Sequence, residues 1–370
     1  MVRNKETFED QLIDNLASTF TKKNTNATAS YLCDSSTNVK NWVSTGSYML
    51  DLVLSNRTSG GVPVARLIEV AGGEGAGKTL LASYMMADTQ RQGGVAIFID
   101  SEHAASMEVL EATGVDTNKL VYIQADTVED VFTSMESITN QIAESKTNKL
   151  ITIVWDSVAA SPPKAEVEGN YGDQTIALKA RLISAGLRKY IPICSSHNVC
   201  LVFINQLRSK IGGVAFGDQS TTPGGKAIPY HASVRLRVSH FKQIKDSDGN
   251  IVGRIIKCEI KKNKVAPPMR TVYYTIRWGD KPGAWIDEVE SLWDAAIRAG
   301  VLEKKTAQKY VFEVPSTKEK MELTKNKFTE LLNEAAFSTE FKNALAEAYI
   351  ITGKKITETI LEDVENEDGL

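Results

Sequence analysis

Residues 72–79 read Gly72, Gly73, Glu74, Gly75, Ala76, Gly77, Lys78 and Thr79, a complete G-x-x-x-x-G-K-[ST] pattern. Each part answers a demand of triphosphate chemistry. Glycines let the backbone turn tightly enough for several N–H groups to point at phosphate oxygens. Lys78 can neutralise β- and γ-phosphates, and the Thr79 hydroxyl can ligate Mg²⁺. The flanks supply the context such a loop needs. Residues 67–71 read as a short buried strand, and 80–92 as a helix ending at Gly93-Gly94. The phosphates would then sit at a helix N-terminus. A chance glycine turn accounts poorly for strand, loop, Lys-Thr and helix in that order, so ATP or a relative is the expected ligand.

Hydrolysis asks for more: a carboxylate for the metal, a base for the attacking water, and a group that senses the γ-phosphate. Three apolar runs end in suitable residues. Residues 151–157 form a strand pattern closing on Asp156, the position a Walker B carboxylate takes; the alternative is an Asp that merely caps a strand end. Residues 95–102 end in Asp100 and Glu102. Asp100 is expected to support the turn, while Glu102 is either the group that reaches the water or a surface acid. Residues 202–206 end in Asn205-Gln206, where an amide could follow the γ-phosphate or simply serve the turn. In an open α/β sheet such strand ends face the ligand crevice.

The elements that must position these groups are legible as alternation. Strand patterns near 95–100, 120–124, 150–156, 199–205, 233–238 and 254–261 are separated by helical ones such as 128–145 and 174–190. This predicts an α/β core over 45–285 with a mostly parallel, twisted sheet, its later strands open to antiparallel pairing. Residues 5–22 carry an apolar stripe at helical spacing, so 1–44 reads as an N-terminal helix and linker. Its stripe is buried either on a neighbouring subunit, for oligomerisation, or back on its own domain. Residues 286–360 read as a small α+β domain with a hairpin near 310–323 and helices near 325–336 and 340–350, and 361–370 as an acidic tail.

With 42% apolar and 24% charged residues the chain is an ordinary globular one, and a net charge of −3 does not advertise nucleic acid. Cys33, Cys194, Cys200 and Cys258 form no C-x-x-C pair and are expected as reduced thiols. No stretch approaches membrane-span length, and a cytoplasmic location is expected.

Five segments, in order, resemble the motifs of RecA-type recombinases: Glu-Gly-Ala-Gly-Lys-Thr at 74–79, Phe-Ile-Asp-Ser-Glu-His-Ala at 98–104, Trp-Asp-Ser-Val-Ala-Ala at 155–160, Phe-Ile-Asn-Gln-Leu-Arg-Ser-Lys-Ile-Gly at 203–212, and Thr-Pro-Gly-Gly-Lys-Ala at 222–227. The resemblance spans about 40–285 and implies a RecA-like P-loop ATPase core. It implies a DNA-dependent ATPase that forms helical filaments on single-stranded DNA and exchanges strands with a homologous duplex. Its cofactors would be ATP and Mg²⁺, and single-strand-binding and loader proteins would be partners. Residue by residue it implies Glu102 as base, Thr79 and Asp156 at the metal, and Gln206 as sensor. Two DNA-facing loops would lie near 164–175 and 207–226, with Arg208, Lys210, Gly224 and Gly225 in the second. Arg181 and Arg188, seven residues apart on one helix face, would by the resemblance be DNA-backbone contacts, whereas their pattern alone reads equally as a solvated face.

Residues 241–270 hold eight Lys/Arg against three Asp/Glu. Their pattern alone reads as a basic strand edge. The resemblance instead implies that Lys262 and Lys264 reach the γ-phosphate of a neighbouring subunit. The chain departs from the family where an adenine-stacking aromatic is expected, near Val109, and by an extra residue in 211–214. Its divergent C-terminal third leans towards a phage-encoded member. The rival readings are a ring-forming DNA helicase on the same core and a recombination mediator or regulatory paralogue, although the latter often lacks the Lys or base present here.

Overall fold

In the computed structural model, which describes residues 11, 39–169, 176–209, 220–279 and 282–351, the apolar runs become a nine-stranded sheet. In chain order its strands are β1 (Leu67–Gly72), β2 (Val95–Asp100), β3 (Val121–Gln124), β4 (Ile151–Asp156), β5 (Val199–Gln206), β6 (Val234–Lys245), β7 (Ile251–Asn263), β8 (Thr271–Trp278) and β9 (Ala284–Asp287). Their spatial order is β9-β8-β7-β6-β1-β5-β4-β2-β3. From β6 across to β3 every neighbouring pair is parallel, whereas β7, β8 and β9 continue the sheet antiparallel.

Period-2 alternation explains why the middle strands are apolar throughout. In β5, Cys200, Val202 and Ile204 enter one buried cluster, while Val199, Leu201 and Phe203 enter the other. In β2, Ala96 and Phe98 face the first and Ile97 and Ile99 the second. Each large side chain so enclosed contributes about 1.5–3 kcal/mol, which is why these strands need helices on both faces. On the second face lie α3 (Val128–Ser145) and α4 (Ile176–Ser196). Thr127 and Asp130 form a capping box that starts α3, and Phe132 of α3 stacks on Tyr190 of α4 with ring centroids 5.9 Å apart.

On the first face lie α1 (Tyr48–Ser55), α2 (Lys78–Arg91) and α5 (Glu288–Arg298). Beyond α5, a three-stranded sheet (Leu302–Lys304, Tyr310–Glu313, Lys320–Leu323) packs with α6 (Lys325–Leu332) and α7 (Ala335–Tyr349). Its aromatics Trp293, Phe312, Phe328 and Phe341 pack ring to ring and are continuous with the apolar cluster of the main sheet.

Several expectations need adjustment. Helix α4 runs past Tyr190 and through Pro192 to Ser196. A proline removes only one helical hydrogen bond, and burial of Cys194 beyond it favours continuing the helix. Strands β6 and β7 are longer than their apolar runs because one face of this hairpin is solvated, so polar residues sit within it. Its turn is held by Asp246, whose Oδ1 accepts the amides of Asp248 (2.9 Å) and Asn250 (2.8 Å). Strands β8 and β9 are not anticipated. The helix expected over 5–22, apart from helical Gln11, and the tail at 361–370 lie outside the described residues. So does Cys33; the other three cysteines are free and buried, and burial pushes their thiols up to about 12. Among the described residues no helix is long and apolar enough to cross a membrane.

Two carboxyls are enclosed where α1 meets α5. Asp51 accepts the Thr45 amide (2.8 Å) and hydroxyl (2.7 Å), yet burial pushes it up to about 7. Glu288 accepts the Tyr48 amide at 2.8 Å, its Oε2 has no hydrogen-bond partner, and burial pushes it from 4.5 up to about 8. A carboxyl raised on folding favours the fold most below its unfolded value and loses that contribution as pH rises through the folded one. Stability is therefore expected to fall between pH 4.5 and about 8, with Glu288 contributing at most about 1.4 kcal/mol per pH unit. Glu288→Gln should flatten this slope in urea-unfolding midpoints measured across that range; an unchanged slope would contradict it.

Candidate nucleotide site and adjoining basic surfaces

Parallel pairing brings the ends of separate strands to one edge. Gly72 is in register with Gln206, and Asp100 with Asp156. The loop leaving β1 therefore opens beside the Gln206 strand end, on the same edge as both carboxylate-bearing ends. Within it Gly75 (φ +63°) and Gly77 (φ +83°) adopt left-handed backbone. A Cβ on Gly77 would also stand 2.6 Å from Ile276 Cδ1, so that position excludes side chains on two counts. Helix α2 begins immediately after, at Lys78, and its first N–H groups face the loop's hollow.

Lys78 Nζ donates to Gly73 O at 2.7 Å, and the Thr79 hydroxyl donates to Asp156 Oδ2 at 2.6 Å. Burial pushes Asp156 up to about 6; the Thr79 hydrogen bond and Lys78 act against that, while Glu102 adds to it. Burial lowers Lys78 from its ordinary value, offset in part by Asp156, Glu102 and Glu74. The cluster is thus a desolvated cation beside carboxylates. Among the described residues no group of three or more His, Cys, Asp or Glu could hold a metal. A hydroxyl and one carboxylate, both hard oxygen donors, do suit Mg²⁺, which keeps waters and phosphate oxygens as its remaining ligands.

Glu102 lies on the exposed turn after β2. Asp100 supports that turn, accepting the amides of Glu102 (2.9 Å) and Ala105 (3.0 Å). Ser157, not singled out from sequence, donates to Glu102 Oε1 at 2.5 Å, and Gln206 Nε2 approaches the same oxygen at 3.5 Å. Asn205, also missed, is buried. Its Nδ2 donates to Pro223 O (3.0 Å) and Glu69 Oε1 (3.2 Å), and Glu69 pairs with Arg235 at 2.5 Å. The strand end carrying Gln206 is thereby tied to the turn carrying Gly224 and Gly225. The only signals for Ser157 and Asn205 are their places beside Asp156 and Gln206.

Two further side chains, Arg254 and His240, stand near the loop with no sequence signal, because they come from separate late strands, and Trp278 on a third strand joins them through Arg254. Arg254 Nη1 lies 3.2 Å from His240 Nε2 and would lie 3.7 Å from a Cβ on Gly75. Its guanidinium sits over the Trp278 ring, 5.6 Å from the centroid. Val109 instead lies beside Gly283, its Cα 3.6 Å from where a Cβ there would be.

Lys262 and Lys264 are not gathered here. Lys262 pairs in register with Arg235, which is opposite Glu69, whereas Gly72 is opposite Val238. At roughly 3.3 Å per residue, the three residues from Glu69 to Gly72 set Lys262 about 10 Å back along the sheet from the phosphate-loop end of β1. Lys262 Nζ donates to Pro229 O (2.7 Å) and Tyr230 O (3.0 Å), and Lys264 is exposed.

Arg181 and Arg188 lie exposed on α4 and, with Lys226, Tyr230 and His231, line a cavity of about 630 Å³. Gly224 (φ +95°) and Gly225 (φ +71°) turn against the same helix, and a Cβ on Gly225 would meet Ala180 Cβ at 2.8 Å. These glycines therefore have a packing reason besides access to phosphates. Arg208 opens a two-residue strand paired with Ser220–Thr221. Lys210 lies outside the described residues, as do 170–175 of the first expected loop.

A model of the RecA N-terminal domain matches residues 11–281. Protein RecA of Cytophaga hutchinsonii is 40% identical over 262 residues, covering 71% of this chain and 70% of that protein. Protein RecA of Rubrobacter xylanophilus is 42% identical over 265 residues, covering 72% and 73%. Protein RecA of Helicobacter pylori strain G27 is 42% identical over 248, covering 66% and 69%. These relatives are bacterial and lend no support to a phage-encoded origin. A match of this extent, on a sheet whose strand ends gather the loop, Asp156, Glu102 and Gln206, means that the chain belongs to the RecA family.

Proposed function

We propose that this chain is a DNA-dependent ATPase that forms filaments on single-stranded DNA and carries out homologous pairing and strand exchange. The observation that carries this reading is the convergence of Lys78, Thr79, Asp156, Glu102 and Gln206 at one edge of the parallel sheet.

In this reading the loop from Gly72 to Thr79 cradles the triphosphate of ATP, and Lys78 neutralises it. Thr79 and Asp156 would hold Mg²⁺, which when bound spreads phosphate charge. Glu102, aimed by Ser157, orients the attacking water and takes its proton. Gln206 follows the γ-phosphate and passes its position through Asn205 to Pro223 and the glycine turn. Lys262 and Lys264 serve a neighbouring subunit's ATP; their distance from their own loop along β1 favours this over action within one chain. DNA lies against Arg181, Arg188, Arg208, Lys210, Gly224 and Gly225, mostly through phosphates, and duplex DNA is the second strand-exchange partner. The segment before residue 45 serves oligomerisation, 45–285 is the ATPase and DNA-binding core, and 286–360 is the appended α+β domain. The acidic residues 361–370 compete with duplex DNA. Single-strand-binding and loader proteins are the remaining partners, and the cytoplasm is the expected compartment. No structural observation favours a ring helicase.

ATP turnover should rise on adding single-stranded DNA, that gain should fall as salt is raised, and electron microscopy should show helical filaments. Turnover indifferent to DNA at low salt would overturn the reading. Glu102→Gln should still bind nucleotide while hydrolysis drops by about 10²–10⁴-fold; turnover at the parent rate would remove Glu102 as the base.

We also place the nucleotide base against Trp278 rather than position 109, because Arg254, whose Nη1 would lie 3.7 Å from a Cβ on Gly75, sits over that ring. Base–aromatic stacking is worth about 1–3 kcal/mol, so Trp278→Ala should raise the KM for ATP about five-fold or more. Val109→Ala should leave it near the parent value, and the opposite pattern would return the stacking role to the helix Met107–Ala112.

A further inference from the structure

Helix α1 ends at Ser55, and its last carbonyls need partners from outside the helix. They find them on the segment joining β7 to β8. Leu54 O accepts Asn263 Nδ2 at 2.8 Å, and Val53 O accepts Arg270 Nη1 at 3.4 Å. The negative end of the helix suits that guanidinium. Asn56 follows in the left-handed region (φ 54°), and this turns its amide away from the helix. That amide pairs both ways with one backbone unit: Nδ2 donates to Ile351 O at 2.9 Å, and Oδ1 accepts the Ile351 amide at 2.9 Å. Arg270 joins the two sides, donating through Nη1 to Asn56 Oδ1 and through Nη2 to Tyr349 O.

The segment formed by the end of β7 and the residues after it, held in this way, carries Lys262 and Lys264. Its base is closed by the Ile260 amide on Arg270 O (2.8 Å) and the Met269 amide on Ile260 O (2.9 Å). Between the two lysines, buried Asn263 accepts the amides of Val265 (3.0 Å) and Ala266 (3.2 Å) while it grips α1. Beside the junction lies a cavity of about 790 Å³ lined by Thr58, Pro315, Asn343 and Ile350. Directional hydrogen bonds thus fasten the lysine-bearing segment to α1 and α1 to Ile351.

We propose that Asn56 and Arg270 form a latch that positions Lys262 and Lys264 for the neighbouring subunit's nucleotide and ties their placement to the chain leaving α7 at Tyr349–Ile351. They are positioning residues: neither touches nucleotide, and each acts through the segment between β7 and β8. The inference rests on the reading of both lysines as acting between subunits.

The test uses full-length Arg270→Met and Asn56→Gly, the latter keeping the left-handed backbone and removing only the amide. A misplacement of about 1 Å can cost a hundred-fold in rate, so DNA-stimulated kcat should fall at least about ten-fold, with nucleotide affinity and unfolding midpoint near those of the parent. Mixing with Lys78→Ala, whose own loop is disabled but whose lysines are intact, should raise turnover above that of each protein alone. Arg270→Lys, which keeps one donor, should recover part of the loss. Unchanged kcat in both variants, or a loss that mixing does not relieve, overturns the latch. Lys262→Ala mixed with Lys78→Ala is the control. If that pair is not restored, the between-subunit reading itself fails; if it is restored and the latch variants are not, only the latch fails. Should Arg270→Met not fold, Asn56→Gly decides by the same comparison.

Discussion

Parallel register is the constraint on which the rest of this structure depends. Two parallel neighbours cannot be joined by a tight turn, so each connection must cross back over the sheet, and helices come to cover both faces. The same geometry sends all the strand ends to one edge. Gly72, Gln206, Asp156 and Asp100 are far apart in sequence and meet because β1, β5, β4 and β2 are paired in that order. An antiparallel arrangement would carry alternate strand ends to the opposite side and scatter the set.

The electrostatics of that edge follow from how deeply it is placed. Asp156 is enclosed enough for burial to raise it to about 6, against the Thr79 hydroxyl and the Lys78 cation. Lys78 is lowered by the same burial and supported by the carboxylates around it. Each charge is costly alone and tolerable beside the other, so the site is a balance set by desolvation. Glu102 acts on this balance from an exposed turn, where Ser157 orients it and solvent can reach it.

Polar side chains of the sheet and its loops carry position from this edge to other surfaces. Asn205 binds the Gln206 strand end to the Pro223 turn, and Glu69 joins that network to Arg235, directly opposite Lys262. Asn263 and Arg270 fasten the far side of the same lysine-bearing segment to α1 and to the end of α7. One strand pair, β6 and β7, therefore adjoins Gly72 at Val238 and presents the lysines at the end away from its turn.

The sequence by itself determined what depends on residues close together in the chain. The phosphate loop and Asp156 were legible because apolar runs ending in polar residues mark strand ends in an α/β alternation. The same pattern set Glu102 and Gln206 at strand ends, and only the family resemblance gave them roles. The bounds of α3 were legible because Thr127 and Asp130 cap it locally. Strand order, the longer β6–β7 hairpin, and β8 and β9 were decided by tertiary pairing, since a strand solvated on one face carries no continuous apolar signal. The companions of the site were likewise invisible. Ser157 and Asn205 matter through partners about fifty and eighteen or more residues away, and Arg254 meets Trp278 from a different strand. Such contacts are set by register and packing, which no local pattern encodes. Only the fold could show that Lys262 and Lys264 lie away from the loop of their own chain.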